Sequence, residues 1–132
     1  MKILILGNSQ IFQRKVYPAL CKIKKLKLEL ASKRLIRNNI NLDKTYNSYE
    51  RAIKETSAEI IYISLINSQH FYWALKCLKN NKHVIIDKPI TLDFNHTNKL
   101  INLAKRKKLL ISEAIVFNKH AGFEKMYSKI NF

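Results

Sequence analysis

The first turn after the opening apolar run has the residue types of a diphosphate-binding loop. The run Ile3–Leu6 ends at Gly7, and Ser9, Gln10 and Ile11 follow before apolar residues return at helical spacing. At such a strand-to-helix turn the backbone can approach a diphosphate, while the helix N-terminus offers unpaired N–H groups and the positive end of its dipole. These residues are therefore candidates for binding the diphosphate of a dinucleotide.

Two residues depart from the usual G-x-G-x-x-G pattern of this turn. Ser9 stands at the second glycine and Phe12 at the third. A serine can still approach closely and donate its hydroxyl to a phosphate, whereas Phe12 must pack where a small residue usually allows tight helix–strand contact. An ordinary β–α turn without a ligand is the alternative.

A hydroxyl and two cations, Ser32, Lys33 and Arg34, follow the second apolar run. An NAD site usually has a carboxylate at this strand end, which binds the ribose hydroxyls. The residues found here suit a 2′-phosphate better, because the Arg guanidinium can donate two parallel hydrogen bonds to phosphate oxygens and Lys adds positive charge. If a dinucleotide binds, the sequence favours NADP, with NAD still possible. The alternative is that Lys33 and Arg34 begin a solvated helix.

The elements that must position these residues alternate along the chain. Short apolar runs predict strands at 3–6, 28–31, 60–65, 84–86 and 109–111. Helical spacing of apolar residues lies between them, in the segments 16–23, 49–53, 71–78 and 94–104. The order predicts an α/β fold: a Rossmann-like, doubly wound, mostly parallel sheet with helices on both faces, as a single domain over residues 1–132.

Polar residues mark the boundaries of these elements. Residues 38–47 are polar and turn-like, and Asn80-Asn81 is expected to end the third helix. Asp93 is the expected N-cap of the last predicted helix. The residues that this helix is expected to bury are Phe94, Thr97, Ile101 and Ala104.

The net charge of +16 indicates nucleic-acid binding as one possible function. A chain rich in Lys, Asn and Ile is equally typical of codon bias in a low-GC genome, and a cationic surface also suits an anionic dinucleotide. The run Lys105–Lys108 ends a predicted helix, where solvated cations complement the dipole. Without interleaved aromatic residues it makes a poor recognition site, so we expect no specific nucleic-acid partner.

Other protein classes are not indicated. Cys21 and Cys77 lie far apart in helical segments, and we expect them to be reduced and partly buried. No Cys/His cluster has zinc spacing, so no metal is expected. The run Ile3–Leu6 is too short for a signal peptide, and no run approaches a membrane span, which makes the cytoplasm the expected location without a membrane partner.

Four segments in register carry a family resemblance. They are 7–20, which ends Pro-Ala-Leu; 61–70, IYISLINSQH; 82–89, KHVIIDKP; and Glu113-Ala114 with His120 and Phe123. Together they resemble the N-terminal domain of the glucose-fructose oxidoreductase and inositol dehydrogenase family, often written Gfo/Idh/MocA. The segment HVIIDKP is the most specific, and the resemblance covers nearly the whole chain.

The resemblance implies an NAD(P)-dependent oxidoreductase that transfers hydride between nicotinamide and a hydroxyl or keto carbon of a sugar-like substrate. It implies that Lys88 is catalytic, because an ammonium can polarise a carbonyl oxygen or pass a proton to the alkoxide, and burial beside Pro89 could tune its acidity. Asp87, where the family usually has Glu, is expected near the cofactor. Ile66 stands where the family often has Pro.

Further residues are implied at the nicotinamide end. Asn67 and His70 are expected near the nicotinamide ribose or the substrate, although a histidine at a helix start is often a cap or surface residue, and Leu65 is expected to contact the cofactor. Glu113 is expected to contact the nicotinamide side or to pair with a nearby Lys.

The resemblance also leaves a second hypothesis open. Family members continue into a substrate domain that this chain is expected to lack, so a small sugar-like substrate is expected only when a second domain is supplied. A degenerate Rossmann-like binding or regulatory module without catalysis is therefore the alternative, motivated by Ser9 and Phe12 in the turn. The oligomeric state is not predicted.

Overall fold

The computed structural model describes residues 1–33, 40–115 and 121–129. Its strands are Lys2–Leu6 (β1), Lys27–Ala31 (β2), Lys44–Tyr46 (β3), Ile60–Ile63 (β4), His83–Ile86 (β5) and Ile111–Glu113 (β6). Its helices are a π-helical turn at Phe12–Val16 that continues into Tyr17–Leu20 (α1), then Tyr49–Glu55 (α2), Asn67–Lys79 (α3), Phe94–Lys107 (α4) and Ala121–Tyr127 (α5). None of the helices within these ranges has the length and apolar character needed to cross a bilayer.

The strands form one parallel sheet in the order β3-β2-β1-β4-β5-β6. From β1 the chain proceeds through β2 to β3 at one edge of the sheet. It then crosses back to β4, which lies beside β1, and continues through β5 to β6 at the other edge, which is the doubly wound order. Leu6 at the end of β1 pairs with Ala31 of β2 and Ile63 of β4, so these strands end together. The predicted α/β Rossmann-like fold is confirmed, and its switch point lies between β1 and β4.

Apolar side chains on alternating positions of the central strand pack on opposite faces. Leu4 and Leu6 point into a core that α2, α3 and α4 cover, while Ile3 and Ile5 point into a second core that Phe12 covers. This alternation follows from the period of two along a strand. Helices therefore cover both faces, and the strand ends remain open at the carboxyl edge.

Two strand predictions were wrong in detail. Residues 40–47 contain the edge strand β3, which pairs with β2 although Lys44 and Thr45 are exposed. β6 begins at Ile111, because Lys108 takes a left-handed conformation (φ 56°) and the amide of Leu109 donates to the Ala104 carbonyl at 2.9 Å. Leu109 thus belongs to the helix end, and Leu110 precedes the strand, with its carbonyl accepting the Val84 amide at 2.9 Å.

The helix predictions were partly right. Asn80 and Asn81 follow the end of α3, and the Asp93 carboxylate accepts the His96 amide at 2.8 Å as the N-cap of α4. The expected burial of Phe94 is wrong, since its side chain is 76% exposed. Of the other expected core residues Ala104 is buried, whereas Thr97 and Ile101 are half-buried; Leu100 is buried in addition.

The two cysteines differ in environment. Cys77 is fully buried in α3, and burial raises the pKa of its thiol far above the ordinary value. Cys21 is exposed, which corrects the expectation of partial burial for both. Both are free thiols, as expected.

Candidate active site at the carboxyl edge

A cavity of about 340 Å³ lies over the carboxyl ends of β1, β2 and β4. It is lined by Asn8, Ser9, Ser32, Lys33, Tyr49, Ser64, Leu65, Ile66 and Gln69. Its place at the switch point of the sheet is where doubly wound folds bind ligands, and its volume is within the range of small-molecule sites. Two other concavities, between α1 and β2 and along the outer face of α4, have no such relation to the strand ends.

Gly7 lies beneath this cavity in a conformation that requires glycine. Its φ is +99°, and a Cβ there would lie 2.2 Å from the Ser64 carbonyl oxygen and 2.6 Å from the Leu65 side chain. Its amide donates to the Ala31 carbonyl at 2.9 Å. The end of β4 therefore passes against the turn, and only a residue without a side chain fits.

The hydroxyl of Ser9 is engaged within the protein. Its Oγ accepts the Phe12 amide at 3.0 Å and lies 2.7 Å from Ser64 Oγ. Ser64 donates its single proton to Asp87 at 2.6 Å, so Ser9 must be the donor to Ser64. The expected donation from Ser9 to a phosphate would require this proton to be withdrawn from Ser64.

Asp87 joins two strand ends. Its carboxylate accepts from Ser64, and also from the phenol of Tyr62. Burial, followed by the hydrogen bond to Asp87, raises the pKa of the Tyr62 phenol well above its ordinary value. Asp87 therefore connects the end of β5 to the turn after β1, through Ser64 and Ser9.

The Phe12 ring does not occupy the cavity. It is fully buried beneath the first helix, against Ile5, Leu30 and Tyr62, with Tyr17 edge-to-face at 6.0 Å. A bulky residue at this helix–strand contact coincides with the wide π-helical turn that begins at Phe12. Phe12 at the position of the third glycine therefore does not fill the cavity.

The cation expected at the second strand end lies at the rim of the cavity. Lys33 is exposed and its ammonium is 5.7 Å from the centre of the Tyr49 ring. Ser32 is buried, lines the cavity, and donates its amide to the Tyr46 carbonyl at 2.9 Å. Arg34, which was predicted to bind the 2′-phosphate with them, lies outside the described residues.

His70 is fully buried, which differs from the expected contact with cofactor or substrate and from the alternative surface role. One ring nitrogen lies 2.7 Å from the Pro89 carbonyl oxygen and the other 3.1 Å from the Leu65 carbonyl oxygen. His70 therefore connects the loop after β4 to the loop after β5. In this arrangement it presents no surface to a ligand.

The loop that carries Lys88 is held on both sides. The Glu113 carboxylate accepts the Ile90 amide at 3.0 Å and forms no ion pair with a described Lys, whereas its expected contact with the nicotinamide side stays a prediction. Pro89 is held through His70. Lys88 itself is exposed, so its expected burial is wrong, and it forms no ion pair with any described residue.

The predicted site residues separate into groups. Those that line the cavity are Ser9, Ser32, Lys33 and Leu65. Those beside it, at the exposed helix starts or on the Lys88 loop, are Gln10, Ile11, Asn67 and Lys88. The buried or half-buried supports are Gly7, His70, Asp87 and Glu113.

Several residues that line the cavity were not predicted from the sequence. Asn8 and Ile66 adjoin predicted residues, and Ser64 directly follows β4, so their positions beside the turns could have been noticed. Tyr49 and Gln69 come from the first turns of α2 and α3, and only the packing of those helices places them at the cavity. No group of three His, Cys, Asp or Glu side chains within the described ranges is arranged to bind a metal.

Part of the basic run has a structural role. The Lys107 ammonium donates to the Lys79 carbonyl at 3.0 Å and to the Asn81 side chain at 2.6 Å. It thereby joins the C-terminal ends of α3 and α4. Lys105 and Arg106 are exposed in the last turn of α4, where cations complement the helix dipole.

Comparison with known proteins finds relatives that are named as an oxidoreductase and a reductase. An uncharacterized oxidoreductase, ORF334, of Rhizobium meliloti is 28% identical over 129 residues, which are 93% of this chain and 39% of that protein. The dTDP-3,4-didehydro-2,6-dideoxy-alpha-D-glucose 3-reductase of Saccharopolyspora spinosa is 26% identical over 125 residues, 91% of this chain and 38% of that protein. The chain thus spans about two fifths of the length of these relatives.

Solved structures support the fold. KijD10, a 3-ketoreductase from Actinomadura kijaniata in complex with NADP and TDP-benzene, has a TM-score of 0.90 at 22% identity, covering 97% of this chain and 41% of that one. Residues 1–115 match the family model described as an oxidoreductase family with an NAD-binding Rossmann fold. The chain therefore belongs to the Gfo/Idh/MocA oxidoreductase family, within its NAD-binding Rossmann-fold part.

Proposed function

We propose that this chain binds NADP(H) in the cavity at the carboxyl edge and that, together with a substrate-binding domain, it serves hydride transfer on a sugar-like hydroxyl or keto carbon. The observation that carries this proposal is the convergence on one cavity of the close-approach turn after Gly7 and the Lys33 ammonium. The reductase from Saccharopolyspora spinosa, which is named for a dTDP-sugar, supports the substrate class.

The diphosphate would lie against the start of the first helix. The helix begins at Gln10, and the first N–H groups of a helix lack partners inside it. Gln10 and Ile11 at this start are exposed residues, whereas the Phe12 amide already donates to Ser9 Oγ. With Ser9 turned toward Ser64, backbone amides and not a side-chain hydroxyl would bind the phosphates.

The 2′-phosphate would meet Ser32 and Lys33 at the rim. Both line the cavity, and the Lys33 ammonium forms no direct ion pair with a carboxylate among the described residues. A charge-assisted hydrogen bond to a phosphate is stronger than one to the neutral hydroxyl of NAD. This difference favours NADP.

Lys88 would act at the reacting oxygen. Nicotinamide, when bound, supplies or accepts the hydride, and the Lys88 ammonium hydrogen-bonds to the oxygen of the substrate and passes a proton to it during reduction. His70 and Glu113, which hold the residues after Lys88, would position it. Asp87 would orient the other side of the same loop through Tyr62 and Ser64.

Equilibrium titration of the purified chain with NADPH and with NADH tests the cofactor proposal. We expect saturable binding, tighter for NADPH, and loss of the preference in Lys33→Ala. Lys54→Ala is the matched control, since this exposed lysine of α2 does not line the cavity. An unchanged preference in Lys33→Ala contradicts the role of Lys33, and the absence of binding contradicts the cofactor site.

A non-catalytic binding module is the second candidate. Two observations favour it: the Ser9 hydroxyl donates its proton to Ser64, and Ser9 and Phe12 replace two glycines of the usual pattern. Oxidation of NADPH in the presence of sugar ketones, by a protein that also contains a substrate-binding domain, separates the two. Turnover that Lys88→Ala abolishes without weakening NADPH binding supports catalysis, whereas binding without turnover supports the module.

A further inference from the structure

Tyr49, in the first turn of α2, lies directly behind the cation at the cavity rim. We propose that Tyr49 is a positioning residue, which holds the Lys33 ammonium at the cavity and thereby sets the preference for NADP over NAD. This inference rests on the proposed function and deepens it. It assigns the specificity to a pair of side chains, where the sequence alone indicated only the cations.

The ring of Tyr49 is a fixed platform. Its side chain is largely buried, at 7% exposure, and packs edge-to-face against the buried Trp73, with ring centres 5.0 Å apart. The Lys33 ammonium lies 5.7 Å from the centre of the Tyr49 ring, within the reach of a cation–π interaction. A flexible lysine side chain is thus partly ordered before a ligand arrives, which reduces the entropy that binding must remove.

The charges around Lys33 leave it available to an anion. The carboxylate next to Tyr49, that of Glu50, pairs with Lys76 at 3.2 Å. Lys33 forms no ion pair with a carboxylate in the described part of the chain, although the Glu50 carboxylate attracts it from a longer distance; the direct contact of its ammonium is with the Tyr49 ring. A 2′-phosphate would replace a weak cation–π contact by a charge-assisted hydrogen bond.

The contribution of Tyr49 must differ between the two dinucleotides. NADH has a hydroxyl where NADPH has a phosphate, so the placement of Lys33 affects NADPH far more than NADH. Removal of the ring should therefore weaken NADPH binding about two- to fivefold, the range that a single cation–π contact near the surface supports. Because Tyr49 lines the cavity, any contact of its ring with the part common to both dinucleotides changes both affinities alike, so the ratio of the two affinities reports on Lys33.

The experiment measures the dissociation constants of NADPH and NADH for the full chain and its variants. Tyr49→Leu should lower the NADPH preference by that factor, and Tyr49→Phe, which keeps the ring, should retain the preference. Tyr72→Leu is the matched control. The Lys76 ammonium lies 4.6 Å from the centre of the Tyr72 ring in the same kind of contact, and Tyr72 does not line the cavity. The ratio of the two constants within one variant is insensitive to a fraction of unfolded protein, because such a fraction lowers the apparent binding of both ligands equally.

A combined variant isolates the pair. When Lys33→Ala is already present, adding Tyr49→Leu should produce no further loss of preference. A preference that survives Tyr49→Leu, or that falls equally in Tyr72→Leu, overturns the inference while leaving the cofactor site in place. If neither dinucleotide binds the unmodified chain, the proposed function and this inference fail together.

Discussion

Replacement of Gly7 by alanine would place a methyl group where the end of β4 passes against the turn after β1. The new Cβ would lie 2.2 Å from the Ser64 carbonyl oxygen, which is backbone and cannot rotate away. A non-glycine residue in such a sparsely populated backbone region costs about 1–3 kcal/mol. Forcing the neighbouring strand to move costs about 1–3 kcal/mol more, so we expect a loss of about 2–6 kcal/mol in the free energy of unfolding.

Urea unfolding followed by tryptophan fluorescence measures this loss. Trp73 is the single tryptophan of the chain and is 5% exposed, so its emission reports on the core beside α3. Gly122→Ala is the matched control, since Gly122 lies within the helix α5, where alanine is more favourable than glycine by about 0.5–1 kcal/mol. A Gly7→Ala protein whose unfolding free energy stays within about 1 kcal/mol of the unmodified chain would refute the close approach of β1 and β4.

Three further predictions address buried or capping groups. A thiol reagent at neutral pH should modify exposed Cys21 at once and buried Cys77 only after unfolding, and rapid reaction of both would contradict the burial of Cys77. Folding raises the pKa of the Tyr62 phenol, so its contribution to stability is complete below its unfolded value of about 10 and is lost as the pH rises further. Urea unfolding at increasing alkaline pH should therefore show a shallower decline for Tyr62→Phe, and an identical decline in both proteins would contradict a raised pKa of Tyr62 from burial and from the Asp87 contact. Asp93→Ala should cost about 0.5–2 kcal/mol in the unfolding free energy by removing the N-cap of α4, and a smaller loss would mean that solvent replaces the cap.

Local patterns were enough for the fold class and for most element positions. The apolar runs at 3–6 and 84–86 became buried strands because continuous apolar residues suit a parallel sheet that is covered on both faces. Asp93 became the N-cap of α4 because this contact spans only three residues. Edge strand β3 was missed because it has three residues and pairs on one side, so its sequence lacks an apolar run.

The identities of Gly7, Ser32 and Lys33 sufficed to predict a nucleotide cavity at the strand ends, because the carboxyl ends of parallel strands meet at one edge of the sheet. Which side chains line the cavity and which lie beneath it depended on contacts between distant segments. Ser9 and Ser64 are 55 positions apart, and sequence spacing carries no information about how the single proton of each hydroxyl is shared. In the same way His70 became a buried link between two loops, because the packing of α3 against the sheet decided its burial, and no local pattern does so.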